Sequence, residues 1–575
     1  MKHFELSVPQ KLQRRENQIF LVLTILIGVL AGLAAVLFTL AIKGTTYVLF
    51  GFSPSILRVV IVPTSVSILT GYLLSKFFPY ARGSGVPQTE AAYHLHRGHM
   101  PRGVALGKFI TGVLCIGSGH SMGREGPSVQ IGAGLASSIA TWFGLSPARA
   151  QSLIPVAAAA ALAAAFNTPV AAVLFALEEI IGDMNASLIG STVVASVSSV
   201  IVERSILGNQ PIFHVPEYHL VHPAELAAYV VLGVIGGVVS LAFCKGLLSL
   251  RAMFLRMPLS TRVFQPAIGG LAIGIILIFV PQVLGVGYEY VDQALNGGLL
   301  LKTMLVLCAV KLIATVISYA SGNAGGIFAP SLYLGAMAGG GVGVLVHRFA
   351  PFPTSDPGAY ALVGMGTVFA GIIRAPMTSV FMIFELTQDY QILVPLMIAN
   401  MLSFLISKRY QPKPVYHALL DQDHIHLPGP LSRLGPSLWR ARDVMSREFE
   451  LVPEDTPVQK AMRIVTAHNA RCILAGHDNI FYGSVRRSDI ESALQSGRGN
   501  EPIASIANTR PNHVHPDHSF DIVVQRLRSS GGALPVVSRH DIHQIEGVIT
   551  PEALLHFVDV AAPANEEIAP PIASS

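Results

Sequence analysis

The chain has 575 residues, 51% of them hydrophobic and only 13% charged, against about 25% charged in ordinary soluble proteins. Its mean hydropathy of +0.54 excludes a disordered or collagen-like chain despite 53 Gly and 37 Pro, and a chain this long exceeds one soluble core. What remains is a polytopic membrane protein, with the Gly and Pro excess pointing to broken helices.

The charge is unevenly spread. Charged residues make up about 10% of residues 1–420 and about 21% of residues 421–575, and the second part holds ten of the twenty histidines. The chain therefore reads as a membrane domain followed by a soluble one. The overall +5 sums a basic first part and an acidic second part, so it carries no indication of nucleic acid. Cys115, Cys244 and Cys308 lie in apolar segments and Cys472 in the tail, with no CxxC. They read as small buried hydrophobes, not as a disulfide framework or a metal site.

Lys2, Lys11, Arg14 and Arg15 precede an uncharged run at 19–42. That run is long enough to span a membrane, is too long for a signal peptide, and predicts a retained helix with a cytoplasmic N-terminus. Further apolar segments fall near 59–75, 103–117, 128–143, 150–179, 187–202, 224–250, 264–287, 302–320, 326–347, 358–373, 376–386 and 392–407. Several are too short for a perpendicular crossing. Several are cut: at Gly83-Ser84-Gly85-Val86-Pro87, Gly123-Arg124-Glu125-Gly126-Pro127, Asn167-Thr168-Pro169 and Gly325-Gly326-Ile327-Phe328-Ala329-Pro330. Interrupted segments in both halves of a chain point to inverted repeats with a site near the midplane.

A Gly-rich turn ending in Pro suits a helix start, because Pro lacks an N–H where none is needed. The remaining N–H groups and the helix dipole make an anion site without a full positive charge. Three such starts, at Ser84–Pro87, Glu125–Pro127 and Ile327–Pro330, are expected to converge on one anion and to bind it weakly enough to release it. Glu125 sits inside one break, Glu178 and Glu179 follow the apolar run 170–177, and Glu385 follows 379–384. Ionised, a carboxylate beside an anion site competes with the anion; protonated, it withdraws and carries a proton. Glu178 and Glu179 point to different sides of their helix. One is expected to face a pathway and the other to pair with a cation such as Lys408 or Arg409, or to sit hydrated at the interface.

At these residues the sequence resembles the CLC family of chloride channels and chloride/proton antiporters. The three loops at 83–87, 123–127 and 326–330 match its signatures in order, and Lys413-Pro414-Val415-Tyr416 matches a fourth. The resemblance implies an α-helical polytopic membrane protein of CLC-type inverted repeat with broken, tilted helices. It implies that Ser84 and Tyr416 offer hydroxyls to a central anion and that the N–H groups of Ile327 and Phe328 complete that site. Backbone around Arg124, Glu125 and Gly126 then forms an outer site that the Glu125 carboxylate occupies when closed, with Arg124 itself a field-setting charge. Glu179 matches the internal proton-transfer glutamate, which favours antiport, and Ser84 matches the chloride-preferring form of its loop. The transported species are chloride and protons across a lipid bilayer. A homodimer with one pore per subunit and no required cofactor is implied.

The tail contains two similar stretches, 443–494 and 503–556, each with an amphipathic helix (458–468; 520–528) and two strand-like runs (471–475 and 480–485; 534–537 and 544–549). They resemble a cytoplasmic α/β pair of CBS domains. Where nucleotide-binding pairs carry Gly-x-φ-Ser/Thr-x-x-Asp, the first unit keeps Asp489 but has Arg486 for the hydroxyl. The second keeps Thr550 but has Ala553 for the Asp. Adenine nucleotide at Asp489 and Thr550 thus stands beside a structural or dimer-stabilising role. The expected organisation is a cytoplasmic segment 1–16, transport domain 17–420, linker 421–440, CBS units 441–500 and 501–560, and a disordered end 561–575.

A passive gated chloride channel is the alternative on the same scaffold, and a nucleotide sensor acting through the tail is a remoter one. An intramembrane enzyme is disfavoured, because neither HExxH nor a cluster of Asp occurs. The expected location is a bacterial inner membrane, with the N-terminus and tail cytoplasmic.

Overall fold

The computed structural model describes residues 10–554 except 52–54, 184–185, 210–211, 214, 217, 219, 388–389, 428–438, 468–469, 479, 510–511 and 531. Two compact units divide at Leu427 and Pro428. The expected disordered end and much of the expected linker lie outside the described residues.

The first unit is entirely helical among its described residues. In chain order it comprises α1 (Gln10–Phe50), α2 (Ile56–Lys76), α3 (Val86–His94), α4 (Val104–Gly117), α5 (Glu125–Trp142), α6 (Pro147–Phe166), α7 (Pro169–Phe175), α8 (Ala186–Leu207) and α9 (Glu225–Leu255). Then follow α10 (Gln265–Phe279), α11 (Tyr288–Leu295), α12 (Leu301–Ala320), α13 (Phe328–Phe349), α14 (Pro357–Ile373), α15 (Pro376–Thr387), α16 (Leu393–Tyr410) and α17 (Val415–Gln422). Seven described helices are long and apolar enough to cross a membrane. The short helices α3, α11 and α17 fall outside the apolar segments expected from sequence, because each is too brief or too polar to register as apolar. α1 runs further at both ends than the expected 19–42, because nothing in 43–50 breaks it: Gly44 is tolerated within the helix.

Helix α1 shows how such a chain sorts its faces. Leu23, Ile27, Ala31 and Ala35 are buried every fourth residue, whereas Val22, Ile25, Val29, Leu33 and Leu37 are exposed. The exposed face is apolar, as a lipid-facing surface requires. On the inner side Gly28 and Gly32 let the backbone of α8 approach at Ala195 and Ser199, and a Cβ on either glycine would collide with it.

The two halves repeat. Lys108 precedes Gly123 by the same interval as Lys311 precedes Gly326, and α4–α8 correspond in order to α12–α16. Gly123 N–H donates to Gly326 O (2.8 Å) and Gly326 N–H to Gly123 O (2.7 Å), a reciprocal pair that marks a local two-fold relation between the halves.

The tail unit holds two antiparallel hairpins. Strand β1 (Cys472–His477) pairs with β2 (Ile480–Arg486), and β3 (Leu534–Val537) pairs with β4 (Ile545–Ile549). The helices Val458–Ala467 and Phe520–Ser530 fall at the two amphipathic stretches, the second running two residues past the expected end at 528. The opening pieces are exchanged between repeats. Ser446 bridges Val548 and Phe520 N–H donates to Trp439 O, so residues 439–446 join the second repeat. Asn508 bridges Ser484, so the start of the second repeat joins the first. Trp439, Ala441 and Val444 accordingly pack with Phe520, Leu534 and Ile549. This exchange gives each small core the apolar area that a single repeat lacks. Cys115, Cys244 and Cys472 are free and buried, and burial pushes the Cys472 thiol up to about 11, as befits an inert core residue.

Candidate anion and proton pathway

The three broken loops meet. Gly325 N–H donates to Gly83 O (3.1 Å), and Gly83 bridges Ala324, while Gly123 and Gly326 pair as above. Buried Lys108 donates to Ala81 O (2.9 Å) and Gly83 O (2.5 Å), pinning the first loop from behind. Gly83 and Gly85 hold φ of +76° and +106°, values an L side chain rarely adopts. Between them Ser84 N–H donates to Tyr319 Oη (3.3 Å). Its Oγ is buried without a hydrogen bond of normal geometry, as is Oη of buried Tyr416. The two hydroxyls lie close enough to influence each other.

Tyr416 stands in the first turn of α17, after Pro414. The next residue, His417, places Nε2 3.4 Å from Oε2 of buried Glu90 on α3, which ties the tyrosine helix to the helix that follows Ser84. Lys413 pairs with Asp421 on the outer side of α17.

The helices α5 and α13 start on opposite sides of the Gly123–Gly326 pair. Arg124 and Ile327 are their capping residues, with Pro127 and Pro330 in the first turns. Gly126 sits against Ser84, and a Cβ there would come within 2.5 Å of Ser84 Oγ. Ile327 and Phe328 are buried, and the Phe328 ring packs among Phe166 (5.0 Å), Phe175 (5.7 Å) and Phe369 (4.5 Å). The sequence-predicted residues Ser84, Arg124, Glu125, Gly126, Ile327 and Phe328 thus lie on three stitched loops, and Tyr416 faces Ser84.

Glu125 is fully buried. Tyr288 Oη donates to its Oε1 at 2.5 Å, and the N–H of Ala329, in the first turn of α13, lies beside the carboxylate. Arg124 Nε is 3.9 Å from Oε1. The guanidinium is committed elsewhere, donating to Thr39 Oγ1 (3.0 Å) and Ala165 O (3.1 Å) and lying 5.7 Å from the Tyr288 ring centre.

Glu178 and Glu179 lie in a π-helical turn, Ala176–Ile181, that continues α7. A wider turn of this kind re-aims successive side chains. Glu179 is buried and close to Tyr416 and Arg374. The expectation that one of the pair meets Lys408 or Arg409 is corrected: Glu178 accepts from Met377 N–H (3.2 Å), Thr378 N–H (2.8 Å) and Thr378 Oγ1 (2.8 Å). The positive partner is a helix N-terminus, which sequence spacing does not reveal. In the tail, Asp489 Oδ2 accepts from Arg486 N–H (3.4 Å) and Thr550 Oγ1 from Ala553 N–H (3.1 Å), so each is engaged at a helix start.

Sequence reading passed over Lys108, Lys311, Tyr288 and Tyr319. The signals were present, since a Gly-x-Gly stands ahead of each lysine (Gly83, Gly85; Gly285, Gly287) at nearly the same interval. The second copy lacks Ser and Pro and so does not look like an anion loop.

Known proteins share the family models and the fold. The family model described as voltage gated chloride channel matches residues 66–408, and the CBS domain model matches 441–496 and 503–559. The H(+)/Cl(-) exchange transporter ClcA of Vibrio campbellii is 30% identical over 411 residues, 69% of this chain and 88% of that protein. The chloride channel protein CLC-e of Arabidopsis thaliana is also 30% identical, over 70% of this chain and 65% of that one. A solved slow cyanobacterial Cl-/H+ antiporter is 28% identical with a TM-score of 0.65, covering 70% of this chain and 97% of that one. A eukaryotic CLC transporter, 20% identical with a TM-score of 0.60, shares the fold over 93% of this chain and 97% of its own. A helical membrane unit with paired broken loops, followed by a tandem α/β tail, places the chain in the voltage-gated chloride channel (CLC) family.

Proposed function

We propose that this integral membrane protein, a chloride transporter by family, exchanges chloride for protons, with Glu125 as external gate and Glu179 as internal proton-transfer carboxylate. One observation carries the reading. The Glu125 carboxylate lies where α5 and α13 begin, beside the N–H of Ala329, a setting that favours negative charge. Helix N-termini contribute about half a positive charge each. A carboxylate there is a built-in competitor of chloride, and its protonation releases the site. Glu179, buried near Tyr416, supplies the second carboxylate a proton route needs. Ser84 and Tyr416 hydroxyls and the N–H groups of Ile327 and Phe328 hold the central anion. The exchange named for the ClcA relatives and the cyanobacterial antiporter supports the coupled reading. The proposed setting is a homodimer with a pore in each subunit, in a bacterial inner membrane with the N-terminus and CBS pair cytoplasmic.

The test is flux in proteoliposomes. A chloride gradient is expected to drive protons through the wild-type chain. Glu125→Gln is expected to pass chloride without protons, and Glu179→Gln to lose proton movement while retaining chloride. Chloride movement without any coupled protons in the wild type favours the passive channel; the Arabidopsis relative is named a chloride channel protein.

For the tail we infer a structural, dimer-stabilising role, because Asp489 and Thr550 are engaged in their own backbone. A nucleotide would have to compete with those bonds.

A further inference from the structure

Tyr288 is held as firmly as the gate it touches. Its ring packs against Phe213 (5.2 Å) and Phe166 (6.5 Å), with the Arg124 guanidinium 5.7 Å from its centre. It is the first residue of α11, delivered by a turn in which Gly285 and Gly287 have φ of +56° and +81°. Lys311, buried, donates to Val283 O (3.1 Å) and Gly285 O (2.7 Å), as Lys108 does to Ala81 and Gly83. Gly285-Val286-Gly287-Tyr288 is therefore the two-fold counterpart of Gly83-Ser84-Gly85-Val86. One copy presents the Ser84 hydroxyl. The other presents the Tyr288 hydroxyl, the one side chain among the described residues that hydrogen-bonds the Glu125 carboxylate.

The geometry points to Tyr288 as the latch of the gate, a positioning residue that sets how strongly the Glu125 carboxylate competes with chloride for the outer site. This rests on the reading of Glu125 as gate. A hydrogen bond to an ionised acceptor is roughly twice as strong as a neutral one. The hydroxyl therefore favours the seated carboxylate over a displaced one, and chloride must break that bond to enter. Removing the hydroxyl loosens the gate without touching the central site, so chloride binds more tightly and moves with fewer coupled protons.

The experiment is a double-mutant cycle on the full chain, with chloride affinity read by calorimetry and proton coupling read in proteoliposomes. Tyr288→Phe is expected to tighten chloride binding about tenfold and to lower the proton-to-chloride ratio. In a Glu125→Ala background, where nothing remains to latch, the same change is expected to alter affinity less than about twofold. Equal effects in both backgrounds, or none in either, overturn the latch, since a packing role acts regardless of Glu125. Tyr288→Met, which keeps an apolar side chain, must show the same dependence on background if Tyr288→Phe yields too little folded protein. Glu125→Ala alone checks the underlying reading: unchanged chloride affinity and coupling in that single variant would remove Glu125 as gate, whatever Tyr288 does.

Discussion

Glu178 and Glu385 cap each other's helices. Glu178, at the end of the α7 segment, accepts from Met377 and Thr378 at the start of α15. Glu385, near the end of α15, accepts from Val170 N–H (2.9 Å) and Ala171 N–H (2.7 Å) at the start of α7. Each carboxylate lies nine residues after the proline that opens its helix, Pro169 or Pro376. The arrangement is the two-fold relation of Gly123 and Gly326 repeated in side chains. It satisfies N–H groups at the two helix starts that have no partner within their own helices.

Removing either cap has a definite cost. Glu385→Ala leaves the Val170 and Ala171 donors without their carboxylate, a loss of about 1–3 kcal/mol. The expected outcome is a lower melting temperature of the purified protein, matched by Glu178→Ala because the two sites are equivalent. Glu385→Gln retains an acceptor and is expected to lose less. Thermal unfolding followed by loss of the monodisperse peak checks this, and an unchanged melting temperature in both alanine variants refutes it.

These two glutamates also show what a sequence discloses and what it withholds. The breaks at 83–87, 123–127 and 326–330 were legible because Gly and Pro constrain the backbone locally. The repeat in the tail was legible because amphipathic period and strand runs recur. Glu178 was visible as an intramembrane carboxylate, but its partner was not. The partner is a set of backbone amides far along the chain at Met377 and Thr378, with no side-chain signature. Tyr288 was hidden for a related reason. Its role follows from the Gly285–Gly287 turn being a symmetry copy of the Ser84 loop, and a copy that has lost Ser and Pro carries only its glycines. The exchange of 439–446 between the tail repeats was illegible because it leaves the linear order of elements unchanged.

Lys108 and Lys311 offer a prediction that separates the two loops. Each buried ammonium holds two carbonyls of one Gly-x-Gly turn. Lys108→Met frees the turn that carries Ser84, and weaker central chloride binding, roughly tenfold, is the expected result. Lys311→Met frees the turn that carries Tyr288 and is expected to reduce proton coupling with a smaller effect on central affinity. Calorimetry and coupled-flux measurements on both variants decide it, and identical phenotypes would refute the division of labour.

In the tail, Asp489 and Thr550 are engaged as caps. Saturable heat on titrating ATP, ADP or AMP into the purified full-length protein would contradict a purely structural role, and none is expected. Asp489→Ala and Thr550→Ala are each expected to destabilise the tail by about 0.5–2 kcal/mol, the ordinary cost of a lost helix cap. Limited proteolysis of the tail, compared with wild type, measures that loss.

Ser84 is the sharpest test of anion choice. Ser84→Pro removes two donors at once: the hydroxyl, and the N–H that reaches Tyr319 Oη at 3.3 Å. Proline also fixes φ near −65° between two glycines of positive φ, Gly83 and Gly85, in the loop that packs against Gly126. A compact anion such as chloride depends on short donors more than a larger, more weakly hydrated one such as nitrate. The expected outcome is a drop in chloride flux with nitrate flux retained, so that the nitrate-to-chloride ratio rises several-fold, about 1 kcal/mol for the loss of one hydroxyl donor. Parallel efflux measurements from nitrate-loaded and chloride-loaded vesicles give that ratio directly. If it does not move, Ser84 does not line the anion site, and the buried Tyr416 hydroxyl would have to hold the anion with the α13 N-terminus alone.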